Sequence, residues 1–244
     1  MIMPEIKLGH RIVPYEIRES KRARYVNFRI DSEKGLEVVI PSGTRIINLD
    51  DLLRERQMWI LKHLRKFDQI KANAEQRRFV SGEVLPYLGD DHELDIIQTR
   101  KGKYTTVARQ GKFIRVRLRA SVNSADQTEE IRAALENWFR QQAKEHIKER
   151  TAVLAAEHGF EYENVKIRGQ RTRWGSCSSK GNLNFNWKLM MIPPAAVDYV
   201  IIHELCHLRE LNHSAHFWAL VQELCPNYKY WVRWLKEHSP QVYL

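Results

Sequence analysis

Residues 199–214 read Tyr199-Val200-Ile201-Ile202-His203-Glu204-Leu205-Cys206-His207-Leu208-Arg209-Glu210-Leu211-Asn212-His213-Ser214. On an α-helix, at about 100° per residue, His203 and His207 lie roughly 40° apart, so both imidazoles can meet one ion. Glu204 lies about 60° from His207 on the same side, within reach of a water beside that ion but outside its coordination sphere. The helix is expected independently of this His-Glu-x-x-His pattern. Pro193-Pro194 suits an N-terminal boundary, and Val197, Val200, Ile201, Leu205 and Leu208 form an apolar stripe.

A catalytic zinc takes three protein ligands and keeps one position open. His213, six residues past His207, supplies the third if the helix stops and the chain turns back. Asn212 suits the left-handed conformation of such a turn. His216 and Glu223 are rival third ligands. Ser214 is placed to cap the next helix, whose stripe is Phe217, Leu220, Val221 and Leu224.

The segment ahead of the metal helix begins Arg168-Gly169-Gln170-Arg171-Thr172-Arg173-Trp174-Gly175-Ser176-Cys177, and Ser178 to Gly181 has hairpin-turn chemistry. Beyond it Leu183, Phe185, Trp187 and Leu189 alternate with Asn182, Asn184, Asn186 and Lys188. This reads as a strand with one core face and one amide-rich face. An edge strand here offers backbone groups to an extended substrate. Arg171, Arg173, Asn186 and His216 are the candidate substrate-binding residues, with Arg168 a further possible donor.

Further towards the N-terminus, short strands are expected at 15–18, 25–30 and 36–40, and a single helix from Leu49 to about Ala74 carrying Leu52, Leu53, Ile60, Leu61, Leu64 and Phe67. In 113–119, Ile114, Val116 and Leu118 share one face. Arg115, Arg117 and Arg119 share the other, a solvated face or an anion-binding strip. A long helix is expected from Asn123-Ser124, with Ser124 and Gln127 as a capping box and Gly159 as its stop. No internal repeat is legible. The expected fold class is α+β: a β-rich region with one helix over 1–120, then a metal-dependent core over 121–244 with a long backing helix, a small antiparallel sheet and the metal helix.

Of 244 residues, 43% are hydrophobic, enough for a core, and no apolar run reaches the roughly 18 residues of a membrane span. No signal-peptide core is evident near the N-terminus, and three scattered cysteines exclude a disulfide framework. A soluble cytoplasmic protein is expected. The net charge of +10 favours anionic partners. It is unevenly spread: 100–119 holds eight basic residues and 164–197 holds six, with no acidic residue in either.

The sequence resembles the YgjP-like family of metal-dependent hydrolases, relatives of the SprT-like and WLM zinc peptidases. The resemblance rests on Arg173-Trp174-Gly175-Ser176-Cys177, Asn186 with Leu189, His203-Glu204-Leu205-Cys206-His207, Asn212-His213-Ser214 and Phe217-Trp218. A weaker similarity runs through Trp59-Ile60-Leu61 and Tyr87-Leu88-Gly89. It implies a zincin-like core, one Zn²⁺ held by His203, His207 and His213, and Glu204 as catalytic base. The expected activity is therefore hydrolysis of a peptide or protein. A nucleoside triphosphate pyrophosphatase with a basic rim is the alternative, and a basic nucleic-acid-associated protein with a structural zinc is the second.

Overall fold

The computed structural model describes residues 3–31, 35–43, 48–123, 125–170 and 173–238, without the side chains of 66, 67 and 69–76. The chain forms two compact units, Met1–Gln76 and Arg77–Leu244. The division therefore lies well before the one expected near residue 120. The reason is packing: Leu85, Leu94, Ile114, Val116 and Leu118 share a single core with the helices that follow them.

The first unit comprises β1 (Glu5–Leu8), β2 (Arg11–Ser20), β3 (Asn27–Asp31), β4 (Gly35–Pro41), α1 (Leu49–Glu55) and α2 (Gln57–Gln76), with sheet order β1-β2-β4-β3. Ile6, Leu8, Val13, Tyr15, Leu36 and Val38 from the sheet meet Leu53, Ile60 and Leu64 from the helices. The single helix expected here is two. It breaks at Arg56 (φ −93°, ψ 4°), with no Gly or Pro between 49 and 76 to announce the break. The expected core position Phe67 lies outside the described side chains.

The second unit opens with β5 (Val84–Tyr87), β6 (Asp90–Gln98), β7 (Thr106–Gln110), β8 (Phe113–Leu118) and α3 (Gln127–His158), in the order β5-β6-β8-β7. This is the first unit's topology again, residue for residue. The pair Ile6–Val13 corresponds to Leu85–His92, and Tyr15–Leu36 to Leu94–Ile114. Phe28–Val38 corresponds to Val107–Val116. Equivalent residues lie 79 positions apart through β3 and 78 apart from β4 onward, because the sequence between the paired Asp31 and Gly35 is one residue longer than that between Gln110 and Phe113. The chain thus contains an internal repeat that its letters conceal. What repeats is register and burial rather than side-chain identity.

Of Arg115, Arg117 and Arg119, on β8 and just past its end, two are paired with carboxylates within the unit. Arg115 Nε donates to Asp95 at 2.7 Å and Arg119 Nε to Glu130 at 3.1 Å, so these two do not act as a free anion strip. Helix α3 buries Ile131, Leu135, Phe139, Ala143, Ile147 and Leu154 along one stripe and ends at Gly159 in the left-handed region (φ 65°). Its expected capping residue Ser124 lies outside the described residues. Instead, Asn123 Oδ1 accepts the Asp126 N–H just ahead of the helix.

Then follow β9 (Asn164–Arg168), β10 (Gly175–Cys177), β11 (Asn182–Asn186), a 3-10 turn over Trp187–Met191, α4 (Pro194–Cys206), α5 (Ala215–Leu224) and α6 (Tyr228–His238). The small sheet, in the order β10-β11-β9, is mixed and not antiparallel. Strand β11 sits in the middle, antiparallel to β10 across the hairpin and parallel to β9. Trp187 and Leu189 do not extend the strand. The Asn186 side chain accepts the Lys188 N–H and starts the turn, which buries both of them with Met190 and Met191. Arg150 of α3 grips Asp198 of α4 through two hydrogen bonds of 2.6 and 2.9 Å, fixing the metal helix on its backing helix. Among the described residues no helix is long and apolar enough to cross a membrane.

Leu36 and Ile114 occupy equivalent, fully buried positions in the two units. Either residue changed to alanine should cost about 2–5 kcal/mol. Native-state hydrogen exchange should show the loss of protection confined to 1–76 for Leu36→Ala and to 77–244 for Ile114→Ala.

Candidate metal centre

Helix α4 is buried along nearly its whole length, with Ala196, Val197, Ile201, Leu205 and Cys206 fully enclosed. That burial fixes its rotation and turns His203 and His207 to one side. At its end Arg209 and Glu210 N–H groups bond to the Cys206 carbonyl, and the chain doubles back. Asn212 does not take the left-handed conformation expected of it. Among the described residues only Phe79 and Leu88 are non-glycine residues with positive φ. The reversal returns His213, and one nitrogen from each of His203, His207 and His213 lies within 4.8 Å of the others. His203 Nε2 and His213 Nε2 are 3.1 Å apart. Tetrahedral zinc with nitrogens at about 2.0–2.1 Å requires them roughly 3.3 Å apart, so the His203–His213 pair stands close to that spacing, with a His207 nitrogen within 4.8 Å of both.

Protonation favours the same use. Burial, with His207 and His213 alongside, drives the His203 pKa down to about 3, and burial lowers that of His213. His207 Nδ1 lies 3.0 Å from the Glu210 carbonyl, which can only accept, so Nδ1 carries the proton and Nε2 is left as the ligand atom. Phe217 braces all three rings. Its centroid is 4.9 Å from His203, 4.4 Å from His207 and 4.8 Å from His213, and it is fully buried. Trp218 stacks on His213, and Tyr228 stacks on Trp218. Ser214 Oγ accepts the Phe217 N–H, so the expected cap of α5 also positions this brace.

Glu204 is 5% exposed. Burial raises its pKa to about 8, opposed by the charge of Arg173 and by a hydrogen bond from the Cys177 N–H. Gly175 faces it so closely that a Cβ there would stand 2.7 Å from Glu204 Cγ and Oε1. Gly175 belongs to the motif Arg173–Cys177 that carries the family resemblance, and the physical reason for a glycine there emerges once β10 is laid against α4. A cavity of about 520 Å³ encloses the group, lined by Arg173, Gly175, Tyr199, His203, Glu204 and His207 among others.

The other expected site residues are distributed unevenly. Arg173 lines the cavity. Arg171 lies outside the described residues. Asn186 does not face the cavity as a substrate contact. It is 3% exposed, and its amide nitrogen donates to the backbone carbonyls of Gln170 and Arg173. Its work is to hold the backbone at Gln170 and at Arg173. His216 is exposed in the first turn of α5, and it, Glu223 and Arg168 stand outside both the histidine group and the cavity wall.

The YgjP-like, metallopeptidase domain family model matches residues 24–238. Among solved structures, the crystal structure of the metallopeptidase zymogen of Pyrococcus abyssi abylysin aligns at 22% identity with a TM-score of 0.34. The alignment covers 37% of this chain and 93% of that one. None of the curated proteins compared with the chain matches it.

A carboxyl group whose pKa rises on folding lends stability below its unfolded value and loses it as pH climbs towards the folded value. For Glu204 that interval runs from about 4.5 to about 8. Metal-free Glu204→Gln should therefore melt close to the parent at pH 4.5. It should melt progressively higher than the parent up to pH 8, as read by calorimetry with chelator present.

Proposed function

The chain belongs to the YgjP-like metallopeptidase family, and from that premise we propose a zinc-dependent peptidase in which His203, His207 and His213 hold the ion and Glu204 is the general base. The observation that carries this reading is the convergence of three imidazole nitrogens beside a buried carboxylate in one cavity. Among the described residues three side chains converge and not four, which favours an open catalytic position over a closed structural site.

When bound, zinc supplies Lewis acidity that brings the pKa of a neighbouring water towards neutrality and polarises a carbonyl. The remaining steps fall to the chain's own side chains. A divalent charge beside Glu204 offsets the burial that keeps it protonated and favours its carboxylate. Glu204 then takes the proton of the attacking water and delivers it to the leaving nitrogen. Gly175 and the Cys177 N–H hold the carboxylate in place for both transfers. Arg173, on the cavity wall, is positioned to donate to an oxygen on which charge develops.

Strand β10 is an edge of its sheet, and its pairing decides which backbone groups are free. Asn186 N–H bonds to Trp174 O and Ser178 N–H to Asn182 O, so by alternation Gly175 and Cys177 turn their polar groups away from β11. The Cys177 N–H goes to Glu204, and the Gly175 groups are left to pair with an extended peptide.

Glu204→Gln should keep about one zinc per chain and lose 10²–10⁴-fold in peptide hydrolysis, followed by metal analysis and a denatured-protein assay. His213→Ala should lose metal. Gly175→Ala should retain metal yet lose activity, because the added methyl displaces Glu204. Release of pyrophosphate from nucleoside triphosphates, abolished by Glu204→Gln, would instead assign the site to phosphoanhydride cleavage.

A further inference from the structure

A second cavity, of about 400 Å³, lies beyond the hairpin end of β10 and shares His207 and Leu211 with the metal cavity. The two cavities therefore share one wall, formed by a residue of the histidine group and its neighbour Leu211. We propose that this second cavity is a substrate subsite for a cationic group, and that it sets the direction in which a peptide crosses the metal centre. The proposal deepens the peptidase reading and rests on it.

The cavity is walled by Glu161, Tyr162 and Glu163 on one side and by the hairpin turn 178–181 on the other. The walls are tied together. Glu163 N–H donates to Gly181 O at 3.0 Å, Gly181 N–H to Ser178 O at 2.9 Å, and Asn182 N–H to Ser178 Oγ at 3.1 Å. Two carboxylates line it against the single ammonium of Lys180, and among the described residues none of these three is in an ion pair. In a chain of net charge +10, a cavity with a net acidic lining that shares His207 with the metal cavity is a departure that favours a positively charged occupant.

A cation, Arg173, stands on the metal-cavity wall just ahead of β10. From Arg173 β10 runs towards the hairpin that walls the second cavity, with the Gly175 backbone groups turned outward. A peptide pairing there does so best antiparallel. Its N-terminal side then points towards Glu161 and Glu163 and its C-terminal side towards Arg173. The cationic group is accordingly a lysine or arginine side chain N-terminal to the scissile bond, or the free α-amine of a short peptide.

Peptides of constant sequence carrying Lys, Arg, norleucine or Glu at each position in turn, with free or acetylated N-termini, separate these sources. Cleavage by the metal-loaded protein is mapped by mass spectrometry, and binding is measured on metal-loaded Glu204→Gln. Lys or Arg on the N-terminal side should raise kcat/KM and tighten binding roughly 10–100-fold over norleucine, the size of one charge-assisted contact. Glu161→Gln with Glu163→Gln should erase that preference and leave metal content and melting temperature as in the parent. If acetylation alone abolishes the effect, the α-amine is the group recognised. Cleavage with no cation preference, a preference that survives the double substitution, or a preference confined to the C-terminal side would overturn the proposal while leaving the peptidase intact. Cation-dependent binding without cleavage of any peptide would refute the peptidase and keep the subsite. Neither binding nor cleavage would refute both.

Discussion

Three imidazole rings crowded about one point must be held there against their freedom to swing apart, and much of the second unit does that. Burial of α4 on α3, sealed by the Arg150–Asp198 bridge, sets the rotation of His203 and His207. Phe217 touches all three rings at once, so the rings cannot swing apart without opening a void in a fully packed place. The Glu210 carbonyl fixes which nitrogen of His207 is free. The cost of crowding like groups is met by apolar packing, which is why the bracing residues are aromatic.

The same economy governs Glu204. The position of this deeply buried carboxyl group depends on the absence of a side chain at Gly175 and on one N–H from Cys177. Asn186 acts one step further out, holding the backbone carbonyl of Arg173, a residue of the cavity wall. Gly175, Cys177 and Asn186 lie on β10 and β11, so the small mixed sheet works as a positioning frame for Glu204.

The doubling of the four-stranded module is the larger architectural fact. The register pairs of the first sheet recur in the second with a shift of one residue at a single turn. Only the second copy lies in the unit that carries the histidine cluster. Few identities survive between the copies, because a buried sheet face asks only for apolar volume at alternate positions and tolerates many side chains there. A reading by letters finds no repeat, whereas a reading by strand pairing finds one at once.

By itself the sequence determined what depends on short-range spacing: the helix carrying His203, Glu204 and His207, the Ser214 cap, the Gly159 stop and the alternation in β8. Those features are set by backbone periodicity and by the local conformational limits of a few residues. Only the tertiary structure decided which distant groups meet. It brought His213 to the pair, left His216 and Glu223 outside, withdrew Asn186 into the frame, made the small sheet mixed and moved the unit boundary to Gln76. Such outcomes turn on long-range packing and on competition among buried polar groups for partners, and no window of neighbouring residues contains that information.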